Sequence, residues 1–164
     1  NETDQNVQIK LIEPWGVRVR VLMREKTAAA GVYADYDSAD DYGVIFFHDK
    51  TGKYNGSMTA AQMSAETDAK VYSKSNGNAT ILANNINVIY DKGVYTNELD
   101  TNLYCVPFVI VDGQIYYCPV ITWNLRTEME TFAANGTLDA KEIAVFEAML
   151  ALHEDTVAYY ATLG

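Results

Sequence analysis

Cysteine, histidine and proline are scarce in this chain of 164 residues, which has two, two and three of them. Cys105 and Cys118 alone supply neither a disulfide scaffold nor a four-ligand zinc site. Basic residues are also short, with 12 Lys+Arg against 22 Asp+Glu and a formal net charge of −10. Binding to phosphate backbones needs a basic stripe, so nucleic acid is not an expected partner. No apolar run reaches the ~18–20 residues that cross a bilayer, so membrane insertion is not expected. The P-loop, the Rossmann fingerprint and the G-x-S-x-G nucleophile elbow are missing. No cofactor is expected.

What is present suits a folded domain. Hydrophobic residues make up 49% and charged residues 21%, a balance unlike that of disordered chains. Residues 1–6 (NETDQN) are polar throughout and are expected to be a flexible linker. The remainder, 7–164, reads as a single domain, β-rich over 7–123 and helical over 124–164. The chain begins at Asn1 with no leader pattern, so an upstream segment is expected to have been removed. Four N-x-S/T sequons, at Asn1, Asn55, Asn78 and Asn135, read as turn chemistry rather than glycan acceptors.

Alternating apolar and polar residues predict strands over 7–12 and 16–24. Residues 26–41 are rich in Ala and Asp and read as a loop or short strand. Residues 43–48 (GVIFFH) are continuously apolar and predict a strand buried on both faces. Thr59 is placed as the N-cap of a one- or two-turn helix reaching Thr67. Strands are further expected at 69–74, at the two ends of 79–90, and briefly at 93–96. The strongest local signal is the pair 103–111 and 114–122 around Asp112–Gly113, a two-residue hairpin turn whose central residues need positive φ. In that register Val111 faces Gln114 and Cys105 faces Val120. Tyr104, Val106, Phe108, Ile110, Ile115, Tyr117 and Ile121 then share one face. Cys105, Val109, Val111, Tyr116, Cys118 and Val120 share the other. The cysteines become diagonal neighbours roughly 7–8 Å apart. A bridge wants less than about 6.8 Å, so no structural disulfide is expected.

After Trp123 the period becomes helical. Leu125, Met129 and Phe132 mark one helix, ended by Asn135–Gly136. Asp139 to Glu142 form a capping box for a second, with an apolar stripe of Ile143, Phe146, Leu150, Val157 and Tyr160. Strands followed by two helices predict a mainly β, α+β fold.

The segments WGVRVRVLM at 15–23, DYGVIFF at 41–47 and ELDTNLYCVPFVIVDGQIYYCPVITWNL at 98–125 resemble an immunoglobulin-like β-sandwich module of secreted and cell-surface proteins from Gram-positive gut bacteria. The resemblance runs from about Val7 to the C-terminus. It implies an antiparallel immunoglobulin-like sandwich followed by the helical tail, and a secreted or cell-surface location. Its motifs are structural, and it brings no catalytic residues. The acidic loop near 35–41 and the two cysteines depart from its pattern.

Candidate chemistry is thin. Asp35, Asp37, Asp40 and Asp41 form the densest acidic cluster and suit a hard cation. They fail the EF-hand template at Ala39, and a solvated acidic loop is the preferred reading. His48 and His153 lie on different elements. Cys105 sits mid-strand, where a thiol behaves as a small hydrophobe. Of the 12 tyrosines, Tyr33, Tyr36, Tyr42 and Tyr54 lie near loops and are the candidate stacking faces for a sugar or protein partner. The resulting expectation is a non-catalytic extracellular module. Its role would be adhesion or binding of a cell-wall or host glycan or protein, or spacing within a larger surface protein. The rival is a carboxylate-dependent hydrolase of extracellular polymers, which needs two acids held across a substrate.

Overall fold

A computed structural model describes residues 3–10, 16–24, 26–29, 32–35, 38–82 and 85–164. The N-terminal half forms β1 (Thr3–Lys10), β2 (Gly16–Arg24), β3 (Lys26–Ala29), β4 (Val32–Asp35) and β5 (Asp41–His48). A short helix α1 (Ala60–Ala65) follows, then β6 (Lys70–Ser73), β7 (Ala79–Leu82) and β8 (Asn85–Gly93). After a 3₁₀ turn at Thr96–Glu98 come β9 (Leu103–Val111), β10 (Gln114–Tyr117) and β11 (Ile121–Trp123). Helices α2 (Leu125–Ala134) and α3 (Ala140–Thr162) end the chain. The class is α+β, with an antiparallel sheet of five strands followed by C-terminal helices.

Strands β1-β2-β8-β7 make a first antiparallel sheet in that order. Strands β10-β9-β5-β6 make the second, with β11 also paired to β9. Strands β3 and β4 pair only with each other among the described residues. The expected linker is corrected here. Thr3 to Asn6 are already in β1, opposite Met23 to Arg20, because a ladder is built from backbone groups and polar side chains do not bar it. Within 26–41, read as a loop or short strand, Lys26–Ala29 and Val32–Asp35 form two short strands. The strand expected at 93–96 is absent, since β8 ends at Gly93 and the 3₁₀ turn begins at Thr96. Residues 11–15, with the Pro14–Trp15 step, lie outside the described residues.

The β9–β10 hairpin has the expected turn, with Asp112 at φ 51 and Gly113 at φ 71. Its register runs from Gln114↔Val111 to Tyr117↔Phe108. Cys118 N–H then donates to the Pro107 carbonyl at 2.8 Å. Pro107 has no N–H to return, so the pair has one bond where two would be exchanged. The ladder breaks there and resumes with Ile121, not Val120, opposite Cys105. This one-residue bulge exchanges the two faces beyond it. Ile121 therefore packs with Cys105, and Val120 with Tyr104 and Phe108, the reverse of the sequence expectation.

Strands β5 and β9 are buried on both sides. Tyr42, Val44, Phe46, Leu103, Cys105 and Val109 join a core that includes Val21, Met23 and Val88 of the first sheet. Trp123, Leu125, Met129 and Phe146 close that core from the C-terminal side. On the opposite face, Ile45, Phe47, Tyr104, Val106 and Phe108 pack against Met58 and Met63 beneath α1. Each such side chain contributes about 1.5–3 kcal/mol on burial. Both cysteines are buried and are not joined in a disulfide.

The helices start as their sequences dictate. Thr59 caps α1 and exchanges capping-box bonds with Gln62, Asn124 caps α2, and Asp139 with Glu142 boxes α3. Gly136 at φ +67 lets Thr137 N–H reach back to the Phe132 carbonyl at 3.1 Å and stop α2. The apolar stripe of α3 is corrected in its second half. Phe146 is buried, but Val157 and Tyr160 are 45% and 54% exposed, because a helix of 23 residues, roughly 35 Å long, outruns the body it packs on.

Gly43 is where β5 and β6 approach too closely for a side chain. A Cβ there would lie 2.1 Å from the Tyr72 carbonyl oxygen and 2.8 Å from Ser73 Cα. Gly43→Ala is expected to cost about 2–3 kcal/mol. Urea denaturation should show a lowered midpoint with an unchanged slope.

Candidate functional site

The acidic segment divides into separate turn supports. Asp40 accepts from Gly113 N–H at 2.8 Å and holds the β9–β10 turn. Asp41 accepts from the N–H groups of Tyr42 (2.8 Å) and Ser75 (3.1 Å) and from the Ser75 hydroxyl (2.5 Å). The two carboxylates thus serve different turns, Asp40 the β9–β10 hairpin and Asp41 the turn after β6. Asp35 and Tyr33 belong to β4, opposite Lys26 and Ala28, while Tyr36 and Asp37 lie outside the described residues. Among the described residues, no three His, Cys, Asp or Glu side chains gather as metal ligands would.

Tyr42 is corrected as a stacking candidate. It is 4% exposed, with its ring in the core between the sheets, since position 42 falls on the inward face of β5. Tyr54 is half-buried. Its ring meets Phe47 and Tyr104 edge-on at 5.9 and 6.4 Å, and its hydroxyl donates to Glu66. Lys53 Nζ lies 2.5 Å from the same carboxylate. Lys53 first, then Tyr54, holds the Glu66 carboxyl below its usual range. The loop carrying these groups is organised by Asp49, which is 2% exposed and accepts from the N–H groups of Lys53 and Tyr54, both at 2.9 Å. A polar cleft of about 520 Å³ opens beside it, lined by His48, Lys50, Lys53, Glu66 and Lys70.

A second, more apolar groove runs along the outer face of the five-stranded sheet. Because α1 is only six residues long, it covers part of that face and leaves about 400 Å³ open between itself and β10. Ile45, Phe108, Ile110 and Tyr117 form the floor, and Met63 one wall. Ser64, Ser73, Ser75, Asn76 and Asp41 provide the polar rim. Asn76 fixes the rim by donating to the Val71 carbonyl at 2.6 Å and accepting from Ser73 N–H at 2.8 Å. Those bonds also occupy backbone groups on the free edge of β6, which would otherwise template another strand. Sequence reasoning missed this groove as a site. Its signal was the shared face of Phe108, Ile110, Ile115 and Tyr117, together with a helix too short to cover them.

Cys105 belongs to neither cleft. Burial pushes its thiol up to about 12, so the thiolate nucleophile is not formed near neutral pH. Iodoacetamide is expected to leave the folded chain unlabelled and to modify two thiols after unfolding. Labelling of Cys105 in the native state would contradict its placement. Asp49→Ala removes a buried acceptor from two amides and is expected to cost about 1–3 kcal/mol. Hydrogen exchange at Lys53 and Tyr54 should accelerate more than in α2.

Comparison with known proteins finds no matching family model, no matching curated protein and no matching solved structure.

Proposed function

We propose that this chain is a non-catalytic, immunoglobulin-like β-sandwich module of a secreted or cell-surface bacterial protein, and that it binds a cell-wall or host glycan on the outer face of its second sheet. The groove between α1 and β10 carries the reading. An apolar floor with one tyrosine suits the C–H face of a sugar ring. Serine hydroxyls, an amide and a carboxylate at the rim suit its hydroxyl groups.

The strand order supports the sandwich part of the reading. Immunoglobulin-type domains pair strands A-B-E-D in one sheet and C-F-G in the other. The orders β1-β2-β8-β7 and β6-β5-β9-β10 follow that scheme, with β3 and β4 inserted between the second and third strands and β6 added at the edge. Both sheets contribute to one core. Such a fold hosts many functions, so the ligand is argued from the groove and not from the topology. The bacterial surface location rests on the resemblance of residues 15–23, 41–47 and 98–125.

The test is an array of cell-wall and host glycans followed by affinity electrophoresis on any glycan retained. Tyr117→Ala should weaken retention by about tenfold or more, equivalent to ~1.4 kcal/mol. Tyr160→Ala, at an exposed site on α3, should leave it unchanged. A blank array, or equal retention by both variants, contradicts binding in this groove.

A further inference from the structure

Helix α3 carries an exposed arc that the rest of the fold does not cover. At roughly 100° per residue, Lys141, Val145, Ala148, Leu152, Asp155 and Tyr159 fall within about 80° of one another, roughly 130° around from the buried Phe146 and His153. Leu152 and Tyr159 are 56% and 62% exposed, and Lys141, Ala148 and Asp155 are exposed beside them. Val145, Ala148, Met149 and Leu152 also form one side of an apolar groove of about 270 Å³, whose other side is Val94, Thr96 and Leu99. Large exposed apolar side chains beside an apolar groove mark an interaction surface.

The two charges on this arc have no role within one chain. Lys141 is the only Lys or Arg of α3 and stands in its first turn, where the helix dipole disfavours a cation. Neither Lys141 nor Asp155 has an opposite charge three or four positions away along the helix. Among the described residues, neither has an ion-pair partner. Yet they stand seven residues before and seven residues after Ala148 on one face. In an antiparallel helix pair with a two-fold axis at Ala148, Lys141 of each copy faces Asp155 of the other, since such a contact pairs i with j and j with i. The same register sets Leu152 against Ala144 and Val145 against Ala151, each larger side chain against a small one. The remaining acids of α3 lie off the arc. Glu142 closes the capping box with Asp139, Glu154 acts on Arg126, and Glu147 is exposed on the opposite side.

We propose that α3 is a homodimerisation helix: it pairs antiparallel with α3 of a second copy of this chain about a two-fold axis at Ala148, and the second helix closes the mouth of the apolar groove. Burial of Val145 and Leu152 supplies the driving force. The two Lys141–Asp155 contacts fix register and direction more than affinity. A parallel pair in register would set Lys141 against Lys141 and Asp155 against Asp155, and is disfavoured. The net charge of −10 on each chain opposes association at a distance, so the dimer is weak and concentration-dependent.

Sedimentation equilibrium of the full chain between about 10 μM and about 1 mM should show the wild type passing from monomer to dimer. Lys141→Glu and Asp155→Lys each place two like-charge contacts in the dimer and should weaken it by about tenfold or more. The double variant K141E/D155K restores both contacts with their signs exchanged and should dimerise as the wild type does. An equimolar mixture of the two single variants should also dimerise, because each then meets opposite charge on the other. Lys141→Glu suits the dipole of α3, so loss of its dimer is not loss of its helix. Within one chain the two positions are about 14 residues and roughly 21 Å apart along the helix, so rescue of one by the other reports contact between copies. A wild-type chain that stays monomeric leaves this face to a partner of other chemistry and overturns the pairing. Single variants that dimerise as the wild type does, or a double variant and a mixture that stay monomeric, overturn it as well.

Discussion

The pairing of β5 with β9 is the constraint on which the other elements depend. It runs without a break from Asp41↔Ile110 to His48↔Leu103, and neither face of it meets solvent over most of that length. Successive residues alternate between two cores: Val44, Phe46 and Cys105 face the first sheet, and Ile45, Phe47 and Tyr104 face α1. The first sheet, α1 and the two C-terminal helices each attach to one side of this pair. Without it there would be two thin apolar surfaces and no shared wall. The close approach at Gly43 is the cost of drawing β6 onto the same wall.

Much of this could be read from local chemistry. GVIFFH is apolar at every step except its ends, which only a strand covered on both faces needs. Asp112–Gly113 specified both the turn and the first four cross-strand pairs. The caps at Thr59, Asn124 and Asp139 sit where helices begin. What was hidden depended on tertiary context. The bulge arises because Pro107 meets Cys118 across the ladder, and periodicity along one strand does not report its neighbour. The exposure of Val157 and Tyr160 reflects the extent of the body beneath α3, which the helix's own pattern does not encode. The polar strand β1 is held by backbone pairing that composition does not reveal.

The same distinction governs the site. Acids and tyrosines near residues 33–42 are conspicuous in the sequence, yet Asp40, Asp41 and Tyr42 serve the fold. Asp40 and Asp41 hold turns, and the Tyr42 ring lies in the core. The outer groove is instead assembled from pairs of residues of α1, β5, β6, β9 and β10 and the turn after β6, none distinctive alone. It exists because one face of the central wall is larger than the helix that covers it. Groove and core are thus two outcomes of one packing arrangement.

Native-state hydrogen exchange of the intact chain in sub-denaturing urea tests this arrangement most directly. If β5 and β9 are the shared wall, their amides exchange last and together, with a urea dependence equal to that of global unfolding. Amides of α1 and β6 should open earlier, through smaller events that leave the wall intact. Exchange of β5 in the same early event as α1, with β9 and the first sheet still protected, would contradict the account.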